Sequence, residues 1–450
     1  VFAAQAGGRS MTTQRSIPAL RLGHFVIGAL LMTGLALLAG RAEAETAKIV
    51  YYSMFSEGEP LQQVLAQATQ DFMAENPDIE VESVWAGRQN LTQLQSVLAA
   101  GDQVDLVDHS DDRVYNAVVA TGLALPLDSY LETNAYASDK KWKDTFVASA
   151  LEIGKSQKDG KTYLIARDDY ISAYFYNTAM LRDDGIAPAI TGMTWPDFLK
   201  MLKALQQKGV SPLGADGTIS FYNNWYITYL MLRVAGEDAY RAAAYDKTGQ
   251  KWRAPEFLQA ARLLKDLQDA KFFQHGFEGS VWPAAQVQWV NGKIAMIFCG
   301  AWLPAEMAPQ MPPGFKTDMF AFPVIEGGKG NDLVEHWANT YAVMKASKAP
   351  DAAVKYLKYL TSPKVVQAIV KIGVPMPLVG APVPVGLENQ YKILQAQKAI
   401  PARAGLNTEI AEYMEKVFNV CSDKFFQLQI GPDDFVGCLA TSSATYWASK

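Results

Sequence analysis

The first hundred residues after position 46 change their hydrophobic period segment by segment. "AKIVYYSM" at 47–54 is rich in β-branched and aromatic residues and predicts a buried strand. In the "LQQVLAQATQDFMAENP" that follows, Leu61, Val64, Leu65, Ala68 and Phe72 recur at helical spacing, which predicts an amphipathic helix. "IEVESVWA" then alternates apolar and polar as a half-buried strand does, a helix is predicted around "LTQLQSVLAAG" with its end at Gly101, and "VDLVDHS" is a further short apolar run. This βαβαβ order with short connections predicts an α/β layer built on a largely parallel sheet. The sequence has no internal repeat, and the Pro-rich "GVPMPLVGAPVPVG" at 373–386 reads as an ordered loop rather than a linker.

Two apolar stretches carry charges where a core strand would not tolerate them. "TYLIARDDYISAYFYN" is long for one strand and holds Arg167, Asp168 and Asp169 in its middle, just before Tyr170. "DMFAFPVIEGGKGNDLVEHWANTYAVMKAS" joins two apolar strands through a Gly-rich loop, with Glu335, His336 and Trp337 at the start of the second. Strands passing through the floor of a cleft would explain both, since water or ligand can satisfy charges there. The two segments are therefore read as crossings between two lobes, and Asp168, Asp169, Tyr170, Glu335, His336 and Trp337 as candidate ligand contacts.

Candidate chemistry gathers at the ends of predicted strands. In "NGKIAMIFCGAWLPAEM" at 291–307 an apolar strand stops, the chain turns through Gly300, and Trp302 follows. Ligands of open α/β sheets bind outside the carboxyl ends of the strands, so the indole is expected to face a cleft. Such an indole offers a ligand a flat apolar platform, beside which planar polar groups can make paired hydrogen bonds. "SFYNNWYITYL" at 220–230 adds Tyr222, Asn223, Asn224 and Trp225 at a strand-to-helix junction, where an Asn can cap the helix as well as meet a ligand. In "MFSEGEP", Phe55 and Glu57 precede the first helix, whose dipole favours a carboxylate. Trp282 and Trp289 are expected to fill an interface between helices.

Composition narrows the class. The chain has 450 residues, 49% of them hydrophobic, which suits two lobes sharing a hinge. Residues 1–10 are read as an upstream artefact, and 11–44 as a signal peptide: Arg15, Arg21 and His24 precede "FVIGALLMTGLALLA", and "AEA" at 42–44 offers a cleavage site. That apolar run falls short of the ~20 residues a spanning helix needs, and no cysteine follows it for a lipid anchor. The expectation is that cleavage releases a soluble protein without a membrane anchor.

Losing residues 1–44 removes four arginines and one glutamate, so 41 basic and 46 acidic residues become 37 and 45, a net charge of −8. Nucleic acid, which needs clustered basic side chains, is excluded as a partner. Of three cysteines, Cys421 and Cys438 are close enough in sequence to bridge neighbouring segments in an oxidising compartment, and Cys299 reads as a buried thiol. No histidine pair has the spacing of a helical zinc site, and no metal or cofactor is expected.

Seven segments, in order, resemble the carbohydrate-binding solute-binding proteins of ABC importers, typified by maltose-binding protein. They are "FMAENPDIEV" (72–81), "GLALPLDSYL" (122–131), "GKTYLIARDDYISAYFYNTAMLRDDGI" (160–186), "TWPDFLKMLKAL" (194–205), "NGKIAMIFCGAW" (291–302), "FAFPVIEGGKG" (320–330) and "APDAAVKYLKYLTSP" (349–363). The resemblance implies an α/β two-lobe periplasmic-binding-protein fold of type II, maltose-binding-like, with hinge crossings and a ligand cleft between the lobes. The expected lobes are 45–165 plus 285–334, and 166–284 plus 335–450. It further implies a sugar ligand, a partner permease in the membrane, and ligand contacts at Trp302 and Tyr222. His109 stands where the maltose binders have a tryptophan, followed by Asp112 and Arg113 matching their Asp-Arg pair. An imidazole stacks less area than an indole, which implies a smaller ligand.

Two other classes compete. A secreted glycoside hydrolase needs two carboxyl groups facing one bond, and Asp168 and Asp169, adjacent in a strand, point to opposite faces. No nucleophile elbow, Walker loop or dinucleotide fingerprint is present, so an enzyme is not expected. A cationic solute, whether polyamine, amino sugar or ferric ion, would use Glu57, Asp168, Asp169 and Glu335 as counter-charges, with aromatic side chains as a cage.

Overall fold

The computed structural model describes residues 46–156, 158–182 and 187–450, apart from the side chain of Arg182. The expected upstream decapeptide 1–10 and signal segment 11–44 lie outside the described residues. The described residues form eleven strands: β1 (Ala47–Ser53), β2 (Ile79–Trp85), β3 (Leu106–Ser110), β4 (Leu164–Ala166), β5 (Tyr170–Asn177), β6 (Ser211–Gly214), β7 (Ile294–Gly300), β8 (Thr317–Phe320), β9 (Leu333–Trp337), β10 (Asn339–Val343) and β11 (Lys398–Pro401).

The first sheet has the order β2-β1-β3-β10-β4. β1 runs parallel to β2 and β3, as the βαβαβ pattern predicts, and β10 is inserted antiparallel between β3 and β4. Pro60–Glu75 (α1) and Asn90–Ala99 (α2) connect its first strands. Pro60 starts α1, where a missing N–H costs nothing, and Leu61, Leu65, Ala68 and Phe72 form its buried stripe. β2 shows the expected alternation in its first half, with Ile79 and Val81 buried and Glu80 and Glu82 exposed.

The second sheet has the order β11-β9-β5-β7-β6, with β8 also on β5. The run 162–177, long for one strand, forms two: β4 ends at Ala166, β5 begins at Tyr170, and residues 167–169 cross from one sheet to the other. The second crossing is Ala338, between β9 of the second sheet and β10 of the first. Both charged interruptions in the apolar pattern thus mark a change of sheet.

Strand pairing corrects the expected lobe boundaries. β7 lies in the second sheet, in register with β5 from Ser172↔Gly300 to Tyr176↔Met296, and β8 and β9 pair with β5 as well. Residues 294–337 therefore build the second lobe rather than the first. Conversely Pro350–Leu360 (α6) and Pro363–Lys371 (α7) pack on α1 of the first lobe. The chain then returns by a third passage that includes the Pro-rich stretch. That stretch is ordered by Val147 N–H to Pro377 O (3.0 Å), Val379 N–H to Thr145 O (2.9 Å) and Asp169 N–H to Pro375 O (3.1 Å).

Val420–Phe426 (α8) and Pro432–Ala448 (α9) are joined by the expected Cys421–Cys438 disulfide, and Cys299 is a buried free thiol. Among the described residues no helix is long and apolar enough to cross a membrane.

Candidate functional site

The carboxyl ends of β6, β7 and β9 and the start of β5 converge beside the crossings. Ala301 N–H donates to Ile171 O at 3.1 Å, which fixes the end of β7 against the first residues of β5. Trp302 follows, half-buried. Its indole lies over Gly300 so closely that a Cβ there would fall 1.4 Å from Cζ3. Gly300 is thus required for the space it leaves to the ring, a different reason from the free turn that the sequence suggests.

Around Trp302 stand Trp337 at 5.1 Å, Tyr170 and Trp225 at 5.7 Å, and Phe221 at 6.1 Å between ring centroids. Edge and tilted packing of this kind suits aromatic quadrupoles. Tyr170, Trp225 and Trp337 are buried, whereas Phe221 is 43% exposed. The nest therefore presents Trp302 and Phe221 outward and keeps the others as support. Phe221 and Trp225 both come from the first turns of Ser220–Ala235 (α3).

Tyr222 is half-buried, and its hydroxyl lies 3.4 Å from Gln286 Nε2 of Ala284–Val290 (α4). Asn223 and Asn224 differ from expectation. Neither caps α3, which starts after Ile219 with no side-chain cap, and both are buried. Asn223 Nδ2 donates to Gly217 O (3.0 Å) and Asp423 Oδ1 (2.9 Å), and Asn224 Nδ2 to Asn419 Oδ1 (2.6 Å). They fasten α3 to the α8 region, a role invisible without those distant partners. Trp289 is buried against Phe315 as expected, but Trp282 is 45% exposed in the loop before α4.

The charged crossing residues are also satisfied by protein rather than left for a ligand. Arg167 forms ion pairs with Asp108 and Asp168, and its guanidinium lies 4.7 Å from the Phe55 ring centroid. Asp168 accepts from both the backbone and side-chain nitrogens of Asn339, and burial pushes its pKa up to about 6 against the pull of Arg167 and Asn339. Asp169 is hydrogen-bonded to His336. Glu335, fully buried, accepts from Trp225 Nε1 (2.8 Å), Arg403 N–H (2.8 Å) and Arg403 Nη1 (3.3 Å). Arg167, Asp168, Asp169, Glu335 and His336 thus pair within the protein and stiffen the crossings and the aromatic nest, as burial of charge requires.

On the first lobe, Phe55 is buried with the Arg88 guanidinium 5.1 Å from its ring, and Glu57 is exposed. Arg113 is exposed, and Asp112 accepts from Ser110 Oγ (2.6 Å) and Arg113 N–H (2.8 Å). Asn407, on the returning chain, meets this region through Asn116 Nδ2 to Asn407 O (2.9 Å). Arg88, Arg403, Phe221 and Asn407 are residues that sequence reasoning missed. Only Phe221 carried a signal, as an aromatic beside Tyr222 in the quoted junction.

His109 is buried, not a stacking platform. Ser110 N–H donates to its Nδ1 (2.7 Å), and its Nε2 lies 3.3 Å from Arg88 O, an arrangement that suits the neutral ring with the proton on Nε2. Burial, and then the charge of Arg113, push its pKa down to about 3 from 6.5. A histidine lowered in this way stabilises the fold above pH 6.5, where both states are neutral, and loses that stability as pH falls from 6.5 toward 3 and the unfolded chain alone takes up the proton. The expected cost is about 1.4 kcal/mol per pH unit. Urea titrations at pH 7.5 and 5.5 should show a smaller acid loss for His109→Gln than for the parent chain; equal losses would contradict this role.

The family model for "Bacterial extracellular solute-binding protein" matches residues 55–367. A "Multiple sugar-binding protein" of Streptococcus mutans serotype c is 24% identical over 345 residues, covering 73% of this chain and 74% of that one. The "Diacetylchitobiose binding protein NgcE" of Streptomyces coelicolor is 21% identical over 297 residues, covering 62% and 61%. Among solved structures, a "Chitin oligosaccharide binding protein" superposes with a TM-score of 0.75 at 21% identity, covering 90% of this chain and all of that one. RafE in complex with raffinose gives 0.71 at 19% identity, covering 89% and 99%.

Proposed function

The chain belongs to the bacterial extracellular solute-binding proteins, and on that premise we propose that it captures a mono- or oligosaccharide in the periplasm and delivers it to the transmembrane permease of an ABC importer. The observation that carries this reading is the aromatic nest with Trp302 and Phe221 facing out. A sugar offers one apolar face and a polar edge, and a half-exposed indole backed by three buried rings is a rigid, low-entropy platform for that face. Relatives named as sugar-binding proteins support the choice of ligand.

On this reading the protein works as a monomer by hinge closure. The lobes turn about residues 167–169, Ala338 and the third passage, and ligand bridges both lobes only when they are closed. Its differential affinity for the two states shifts the equilibrium between them, and the permease reads the closed shape. No bond is made or broken in the sugar.

Thermal-shift and calorimetric screening tests the proposal with glucose, galactose, N-acetylglucosamine, maltose, raffinose and chitobiose set against spermidine and ferric citrate. A sugar at about a hundred times its dissociation constant should add roughly 2.7 kcal/mol of stability. A response to spermidine or ferric citrate alone would sink the sugar reading, and turnover of nitrophenyl glycosides would sink the assignment as a pure binder.

A further inference from the structure

Glu306 lies one helical turn past Trp302, in Leu303–Met307 (α5), and its backbone N–H donates to Trp302 O at 2.9 Å. Burial raises the pKa of its carboxyl against the pull of the Gln286 and Trp302 side chains, and its Oε2 is buried with no hydrogen-bond partner. Gln286, only 2% exposed, has an unpartnered Oε1. With Tyr222 and Asp216 it lines a small cavity at the end of β6.

Among the described residues Glu306 has no ion-pair partner. The charge of Arg88, on the first lobe, acts on it, but that guanidinium is held by Glu59 through bonds of 3.0 and 2.6 Å and by Met54 O at 2.6 Å. Glu59 itself opposes further negative charge there. A carboxylate oxygen buried without a donor is costly; α5 holds one, on Glu306, and α4 an unpartnered amide oxygen, on Gln286.

We propose that Glu306, together with Gln286, reads a pair of hydroxyl groups on the edge of the sugar ring that stacks on Trp302. The inference rests on the sugar-binding reading and names its specificity element: a neutral ring bearing adjacent unsubstituted hydroxyls. Two acceptors on separate side chains suit two O–H donors, and a carboxylate makes the stronger, charge-assisted bond of the two. Trp302 and Glu306 would then read the face and the edge of the same ring from one turn of chain.

The test uses the full mature protein and the tightest-binding sugar of the panel, with its monodeoxy analogues, by calorimetry. Glu306→Gln, near-isosteric and checked for an unchanged thermal midpoint, should weaken the parent sugar about 10- to 100-fold. One deoxy analogue should bind the parent protein correspondingly more weakly, yet lose little further in Glu306→Gln; Gln286→Leu should behave similarly with a smaller loss. Unchanged affinity in Glu306→Gln, or a deoxy penalty of the same size in both proteins, overturns the inference. So does a structure of the complex in which an ordered water alone fills the acceptor pair. An amino sugar bound in preference to its hydroxyl parent, with the preference lost in Glu306→Gln, also overturns it, because the carboxylate then reads a cation. If sugar binding needs Trp302 but ignores Glu306, only this inference fails; if no sugar binds the parent protein, the functional reading fails with it.

Discussion

Trp302→Ala should weaken sugar binding by roughly ten- to several-hundred-fold while leaving a folded protein, following the ~1.5–3 kcal/mol expected of a large apolar side chain that covers a ligand face. The ring is the member of the nest that touches all four of its neighbours and is itself only half-buried. Its loss removes platform area that the buried rings behind it cannot replace. Gly300→Ala offers an independent route to the same result: the added methyl would occupy the position of the indole, so the ring must swing away although the tryptophan remains. Both variants should therefore lose affinity, and Trp302→Phe should fall between them and the parent. Calorimetry on protein with an intact thermal transition decides the matter, and an unchanged dissociation constant for Trp302→Ala would remove Trp302 from the site.

What could be read in the sequence was what local periodicity and chain chemistry encode. The stripe of α1, the parallel start of the first sheet, the apolar β7 ending at Gly300, and the two charged interruptions at 167–169 and 335–337 all follow from patterns spanning a few residues. The partners of those charges could not be read. Arg167 is balanced by Asp108, Asp168 by Asn339, Asp169 by His336 and Glu335 by Arg403, pairs brought together mostly across dozens to more than a hundred positions. Without the partner, a charge in an apolar run looks available to a ligand; with it, the same charge is a strut. The lobe boundaries failed for the same reason, because β7, apolar on both faces, gives no sign of which sheet it enters until its register with β5 is known.

Arg403→Met should cost about 3–5 kcal/mol of folding stability, the penalty for stranding a buried charge, and should loosen the aromatic nest as it does so. Arg403 and Ala404 hold left-handed backbone angles, with φ of 53° and 52°, a conformation that costs a non-glycine residue about 1–3 kcal/mol and persists only when surrounding contacts impose it. Those contacts are specific. The Arg403 N–H and guanidinium both reach Glu335, Nη2 donates to Phe221 O at 2.8 Å, and the guanidinium lies 5.2 Å from the Trp225 ring centroid. Glu335 in turn holds the Trp225 indole N–H. One buried ion pair thus fixes both α3 residues of the nest, Phe221 by its backbone and Trp225 by its ring, so that Trp302 meets a rigid wall. Removing the arginine leaves Glu335 with the Trp225 donor and one backbone N–H for a full charge in a dry site. Adding Glu335→Gln to Arg403→Met removes that stranded charge, so the double variant should recover much of the stability. Its ligand affinity should stay below that of the parent, since the guanidinium no longer braces Phe221. Urea unfolding of the two single variants and the double, with calorimetry on each, separates the effects. Additive stability losses, or full parental affinity in Arg403→Met, would show that the ion pair does not hold the platform.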